Sequence, residues 1–295
     1  MTEKPMRGVY PILVTPFDEN SRIDEESLCS LVEFDITSGV HGLGVALGSE
    51  VFKLSEAERV QVTRIVVNQA GGRVPVVINT GAPGTDLAVQ QSVTAEENGA
   101  DALMVMPPSF IPAGPEEVRE YFKAISDAVG IPIFIQDTAT VPVPAGFARQ
   151  IAEECENVRY IKVESLPTPA KVAAVTALAG QVLVIFGGAG GSYFIEEMRR
   201  GAVGTMPFCT QPEEFIQVWD LFQSGDEKGA RSVMESRILP LNRISVQMQG
   251  AHYHVHKEVL RQRGIIRTAV VRGPAAPLDD LTRRELQKVI DELYG

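Results

Sequence analysis

Cysteine is scarce and scattered: Cys29, Cys155 and Cys209 are the only three in 295 residues. An odd, widely spaced set argues against a disulfide framework and fits a reducing compartment. A cytoplasmic location is therefore expected, with all three thiols as packing residues. Aromatic residues make up only 6% of the chain, with Trp219 the one tryptophan. No uninterrupted apolar run approaches the roughly 20 residues of a membrane-crossing helix. The opening residues, Met1 to Arg7, lack the long apolar stretch of a secretory signal. A membrane partner is not expected. Positive charge is short as well: 27 Lys and Arg stand against 38 Asp and Glu, a net charge of −11. With no basic cluster, nucleic acid is not an expected partner either. The dinucleotide-binding pattern Gly-x-Gly-x-x-Gly is also missing, because the first apolar run leads into Thr15-Pro16-Phe17.

What the chain has is apolar material, 44% of it, arranged in one repeated unit. A short apolar run is followed by a polar loop and then an amphipathic helix. The runs begin near Val9, Gly42, Val74, Ala102, Ile131, Val158, Val182 and Ala202. Helix signals follow them: Asp24 as an N-cap, Ser55 with Glu58 as a capping box, and Pro115 as a first helical residue. Glycines close several helices, at Gly71 and Gly99 for example. Eight such units predict the α/β fold class, a (β/α)8 TIM barrel over residues 1–224. Beyond it the pattern turns helical, predicting a C-terminal helical extension over residues 225–295.

One run departs from the apolar rule. Val158 to Ser165 reads Val-Arg-Tyr-Ile-Lys-Val-Glu-Ser. Alternation along a strand puts Lys162 and Glu164 on one face and Ile161 and Val163 on the other. Strands of a helix-covered parallel sheet are buried on both faces, so a charge there is costly unless it is paired or used. Either this strand end reaches solvent, or Lys162 is an amine nucleophile able to attack a carbonyl. In a barrel the active site lies at the C-terminal strand ends. Only Lys162 is a lysine on a strand at that end, which favours the nucleophile. The neighbouring strand ends supply Gly48, Ser49, Gln136, Asp137, Gly187 and Met206.

These motifs resemble a known family. The opening Gly8-Val9-Tyr10-Pro11-Ile12-Leu13-Val14-Thr15-Pro16-Phe17, the stretch Gly48-Ser49-Glu50 with Leu54-Ser55-Glu56-Ala57-Glu58-Arg59, and the Ile161-Lys162-Val163-Glu164 strand are similar to those of the pyruvate-dependent Schiff-base lyases. That family includes dihydrodipicolinate synthase and N-acetylneuraminate lyase. The resemblance covers nearly the whole chain. It implies that Lys162 forms an imine with a 2-keto acid, with no metal or nucleotide cofactor. It also implies a homo-oligomer, a tetramer built as a dimer of dimers. Glu164 is the candidate acid and base, and Gln136 a catalytic residue in the place of the family tyrosine. Gly48, Ser49, Asp137, Gly187 and Met206 are the expected substrate-binding residues.

Departures from the family pattern bear on the substrate. Where the family has Gly-Thr-Thr-Gly-Glu after the second strand, this chain has Ala46-Leu47-Gly48-Ser49-Glu50. Where the family has Tyr-Asn-x-Pro after the fifth, it has Gln136-Asp137-Thr138-Ala139. The synthase's partner tyrosine falls at Phe110, and its arginine for aspartate semialdehyde falls near Val141. The pattern looks more like the sugar-acid branch, which includes 2-keto-3-deoxy-L-arabonate dehydratase and related aldolases. A lyase acting by aldol cleavage or dehydration is the expected function. The alternatives are a dihydrodipicolinate synthase and a keto-acid-binding protein without catalysis.

Two further stretches carry chemistry-bearing residues. His252, His254 and His256 alternate, so if extended they could share a metal; the plainer expectation is a polar loop entering a helix. Gly187 to Gly191 could present backbone amides to an anion, or simply turn the chain tightly. Glu50 is expected to steady its loop.

Overall fold

The computed structural model describes residues 5–111 and 113–295. Strands and helices alternate along it. They begin with β1 (Gly8–Val9), α1 (Glu25–Thr37), β2 (Leu43–Val45), α2 (Glu56–Ala70), β3 (Val76–Asn79) and α3 (Thr85–Glu97). Next come β4 (Ala102–Val105), α4 (Pro115–Ala128), β5 (Ile133–Asp137), α5 (Ala145–Glu154), β6 (Val158–Val163) and α6 (Thr168–Ala179). Then follow β7 (Val184–Gly187), α7 (Phe194–Met198), β8 (Gly204–Thr205) and α8 (Pro212–Gln223). The remaining elements are helical: α9 (Glu227–Val233), a π-helical turn over Met234–Ile238, α10 (Leu239–Ser245), α11 (Ala251–Gln262) and α12 (Asp280–Tyr294). Eight strands, each followed by a helix, are the element order of a (β/α)8 barrel.

The anticipated caps are in place. Asp24 accepts from the Ser27 amide at the start of α1. Ser55 and Glu58 cap each other's backbone amides ahead of α2, and Gly71 closes that helix in the left-handed conformation at φ 56°. Pro115 opens α4, where its missing N–H would have had no helical partner anyway.

The chain divides into two compact units. One comprises the residues up to Tyr10 together with Pro75–Pro207; the other comprises Pro11–Val74 and Phe208–Gly295. In the first unit the strands form a parallel sheet in the order β1-β8-β7-β6-β5-β4-β3. Register is direct at the centre: Gln136 pairs with Lys162, and Lys162 with Phe186. One face of this sheet carries an aromatic cluster. Phe134 stacks on Tyr160 with centroids 4.4 Å apart, and Tyr10 meets Phe186 edge-on at 5.3 Å. Each of Phe134 and Tyr160 stands two residues before a polar one, Gln136 and Lys162. The period of two therefore stacks an apolar layer directly beneath a polar layer on the same face.

In the second unit, β2 meets the continuation of the first apolar run through a bridge between Gly44 and Ile12, and Ile12 bridges Phe208 in turn. Pro11 has no N–H to give a ladder, which shortens β1 relative to the apolar run that begins near Val9. The C-terminal helices bury Leu241, Ile244, Val255, Val259, Leu286 and Ile290 against one another. Among the described residues no helix is long and apolar enough to cross a membrane.

Candidate active site

The sequence ends the fifth apolar run at Ile135, but β5 continues through Gln136 and Asp137. The ladder to β6 holds both: Gln136 pairs with Lys162 and Asp137 with Val163. Gln136 is thereby fixed beside Lys162 in the middle of the sheet rather than on a loop.

Lys162 is buried, with 4% of its side chain exposed, and its Nζ lies 2.9 Å from Glu164 Oε1. Glu164, just past the end of β6, keeps 21% of its side chain exposed. Its second oxygen accepts a hydrogen bond from Gln136 Nε2 at 3.1 Å. Gln136 Oε1 accepts in turn from Asn79 Nδ2 at 3.3 Å. One polar layer thus runs from the end of β3 through β5 to the end of β6. The Ala189 amide points at Glu164 Oε1 from 3.4 Å. A paired lysine satisfies the condition on which a buried charge is tolerated. It also leaves a carboxylate within reach of any atom bonded to Nζ.

The glycine-rich turn after β7 does both things that its composition allowed. It reverses tightly, with Gly190 at φ 67° and the Gly191 amide bonded to Gly188 O, and it aims one amide at a carboxylate. Gly188 has a steric reason to lack a side chain, since a Cβ there would overlap Glu164.

Asp137, expected among the substrate-binding residues, faces away from this layer. It follows Gln136 in the strand, and the pleat sends consecutive side chains to opposite faces. Its carboxylate is fully buried and accepts from Val143 N at 2.7 Å, Lys171 Nζ at 3.1 Å, Ser165 N at 3.1 Å and Ser165 Oγ at 2.6 Å. No lone pair is left facing Lys162. Gly187 and Met206 are joined through the Met206 amide and Gly187 O, 3.0 Å apart, and the Met206 side chain is buried.

Gly48 and Ser49 belong to the other compact unit. There they form a short 3-10 turn, Leu47–Ser49, closed by Glu50 in the left-handed conformation at φ 58°. Ser49 Oγ donates to Leu13 O and accepts from the Ala46 amide. Glu50 steadies this loop, as expected: its buried carboxylate binds Lys257 and Lys53.

The three alternating histidines lie within α11, not on an extended segment. Helical spacing puts His252 and His256 on one face, both against the Phe208 ring, and turns His254 elsewhere. His256 is fully buried and bonded to Thr210 Oγ1 and Ser245 Oγ. Burial holds its pKa well below the usual histidine value. Among the described residues, no group of three or more His, Cys, Asp or Glu side chains is placed to hold a metal ion.

Sequence reasoning missed Asn79, Ser165 and Lys171. Asn79 was legible, since it ends an apolar run as Gln136 does. Lys171 was not, because one lysine in a helix carries no mark of the strand beneath it.

Known proteins match this chain along almost its entire length. The Dihydrodipicolinate synthetase family matches over residues 5–293. The L-2-keto-3-deoxyarabonate dehydratase of Azospirillum brasilense is 27% identical over 294 residues, covering 97% of this chain and 94% of the relative. The 4-hydroxy-tetrahydrodipicolinate synthase of Bartonella bacilliformis is 30% identical over 288 residues, covering 94% and 95%. The crystal structure of dihydrodipicolinate synthase from Rhodopseudomonas palustris aligns with a TM-score of 0.89 at 27% identity, covering 97% of each chain. Eight strand–helix units, C-terminal helices and a match along almost the entire length make this chain a lyase of the dihydrodipicolinate synthetase family, built on the (β/α)8 barrel.

Proposed function

We propose that the chain is a Schiff-base lyase acting on a 2-keto-3-deoxy sugar acid, with Lys162 as the nucleophile and Glu164 as its acid and base. The observation that carries this reading is the buried Lys162–Glu164 pair, 2.9 Å apart, with Glu164 held from its other oxygen by Gln136.

The chemistry follows from what each group can do. The Lys162 amine adds to the C2 ketone and water leaves, forming an iminium. That cation withdraws electrons from C3. Glu164 removes a C3 proton, and the electron pair moves into the iminium to give an enamine. In a dehydratase the protonated Glu164 then returns its proton to the departing C4 hydroxyl, which leaves as water. In an aldolase Glu164 instead takes the C4 hydroxyl proton from the first iminium, the C3–C4 bond breaks to release an aldehyde and leave an enamine, and Glu164 returns that proton to C3 to regenerate the imine. Either way, water then hydrolyses the imine and restores Lys162. Gln136 carries no exchangeable acid proton in the useful range, so it orients Glu164 and does not replace it.

Dehydration is the branch we favour, and the likeness to the L-2-keto-3-deoxyarabonate dehydratase supports it. The likeness to a synthase supports the rival reaction with aspartate semialdehyde. Against that rival, the positions at which the synthase carries hydroxyls and an arginine hold Leu47, Phe110, Gln136 and Val141. None of these offers a proton-transferring hydroxyl or a two-pronged carboxylate clamp. Losing a general acid or base costs about 10²–10⁴ in rate.

One preparation assayed with 2-keto-3-deoxy pentonates and hexonates, and separately with pyruvate plus aspartate semialdehyde, tests the assignment. Faster turnover of a sugar acid, with loss of water seen in the product mass, supports it. A synthase reaction faster by a wide margin overturns it.

A further inference from the structure

We propose that Asp137 is a positioning residue for the proton-transfer step, holding Glu164 in place from the far side of the sheet. This rests on the assignment of Lys162 and Glu164 given above.

Asp137 and Glu164 are linked twice. The Glu164 amide donates to the Asp137 carbonyl at 3.0 Å. The next residue, Ser165, is held to the Asp137 carboxylate by both its amide, at 3.1 Å, and its hydroxyl, at 2.6 Å. Lys171 completes the knot from α6, donating to Asp137 Oδ1 at 3.1 Å and to Ser165 Oγ at 3.1 Å. On the other side, the Val143 amide fastens the loop after β5 to Oδ1 at 2.7 Å.

The chemistry of the four contacts specifies the residue. Val143 N, Ser165 N, Ser165 Oγ and Lys171 Nζ all donate toward Asp137. A group that must accept at both oxygens has to be a carboxylate, because an amide would set its own NH2 against one pair of donors. Asn at this position therefore fails on one side whichever way it is turned. Asp137 is also fully buried, so water cannot stand in for a lost partner.

Lys162 does not depend on the knot. It lies within β6, laddered to β5 at Gln136 and to β7 at Phe186. Glu164 lies beyond the last residue of β6, and Asp137 is the anchor of its backbone. The two catalytic residues are thus held by different means, and they should separate under mutation. Misplacing a catalytic group by about 1 Å costs on the order of 10²-fold.

The experiment measures two steps on the same samples. Borohydride trapping of pyruvate reports imine formation at Lys162. Exchange of the pyruvate methyl protons with solvent deuterium, followed by NMR, reports proton removal by Glu164. The variants are Asp137→Asn, Ser165→Ala and Lys171→Met, with Glu164→Gln and Lys162→Ala as references. Ser165→Ala removes a single hydroxyl and keeps the assay interpretable should Asp137→Asn fail to fold. The expected result is trapping within about threefold of wild type in Ser165→Ala and Lys171→Met, with exchange slowed by roughly 10-fold. In Asp137→Asn exchange falls about 10²-fold and kcat falls with it, while KM changes little. Exchange that stays at the wild-type rate in all three, or that falls only in proportion to trapping, overturns the positioning role. Trapping that persists in Lys162→Ala instead overturns the underlying assignment of the nucleophile, so the two failures are distinguishable.

Discussion

Glu197 stands directly behind Gly187, so close that a side chain at residue 187 would overlap its carboxyl group. The Thr168 hydroxyl donates to one carboxyl oxygen, and the other is buried with no hydrogen-bond partner among the described residues. Burial raises the pKa to about 7; the Thr168 bond acts the other way, while Glu196 and Glu164 add to the rise. The folded protein therefore keeps a proton on Glu197 that the unfolded chain releases near 4.5. Its contribution to stability is complete below about 4.5 and is lost as pH rises through about 7. Glu197→Gln keeps the shape and removes the titration. Its melting temperature should exceed that of wild type by more at about pH 8 than at pH 5. Equal differences at the two pH values would contradict the assignment. Gly187→Ala should cost about 1–3 kcal/mol, the range for forcing an extra carbon into a packed site, and less when combined with Glu197→Ala.

Asp35, in α1, is a second buried acid without support. It is fully buried, and neither carboxyl oxygen has a hydrogen-bond partner among the described residues. Burial first, then Glu213, drives its pKa well above the usual aspartate value, while Arg263 opposes them. Stability associated with the bound proton is present below the ordinary value of 3.8 and is lost as pH climbs through the raised value. Asp35→Asn is expected to stabilise the protein at neutral pH by a few degrees, with the gain shrinking toward pH 4. Thermal unfolding across that range is the check; a variant less stable than wild type at about pH 8 would refute it.

The Glu50–Lys257 pair behaves differently, because each partner is fully buried yet satisfied. Lys257 also donates to Val270 O at 2.8 Å, and Glu50 accepts from Lys53 at 2.8 Å. Burial draws the Lys257 pKa down to about 8, against the opposing pull of Glu50. Lys257→Met leaves the Glu50 carboxylate buried with one cation fewer. Removing one member of such a pair typically costs about 3–5 kcal/mol, and chemical denaturation should find a loss of that order. A loss under about 1 kcal/mol would mean that Lys53 alone satisfies Glu50.

Much of this was legible in the sequence, for reasons of periodicity. Eight apolar runs at even spacing gave away the barrel, and the charged pair in Val158 to Ser165 marked Lys162 as the proposed nucleophile. Asp24, Ser55 and Pro115 marked helix starts because capping chemistry is local. Three features were harder. The fifth apolar run stops at Ile135 because Gln136 and Asp137 are polar, although a ladder to β6 carries β5 through both. The contacts of Asp137 lay one step further: alternation puts it opposite Gln136, but its partners come from three separate segments. The alternating histidines were expected on a polar loop entering a helix, while they lie within α11, set by packing of Val255 and Val259 into the C-terminal helical core.

The most direct test of the central claim is the mass of the peptide containing Lys162 after incubation with pyruvate and borohydride. Reduction should add the mass of pyruvate less one oxygen atom to that peptide in wild type, and no adduct should form in Lys162→Ala. Glu164→Gln should still form it while turning over about 10²–10⁴ more slowly. An unmodified Lys162 peptide in active wild-type protein, or an adduct on another lysine, would contradict the imine mechanism.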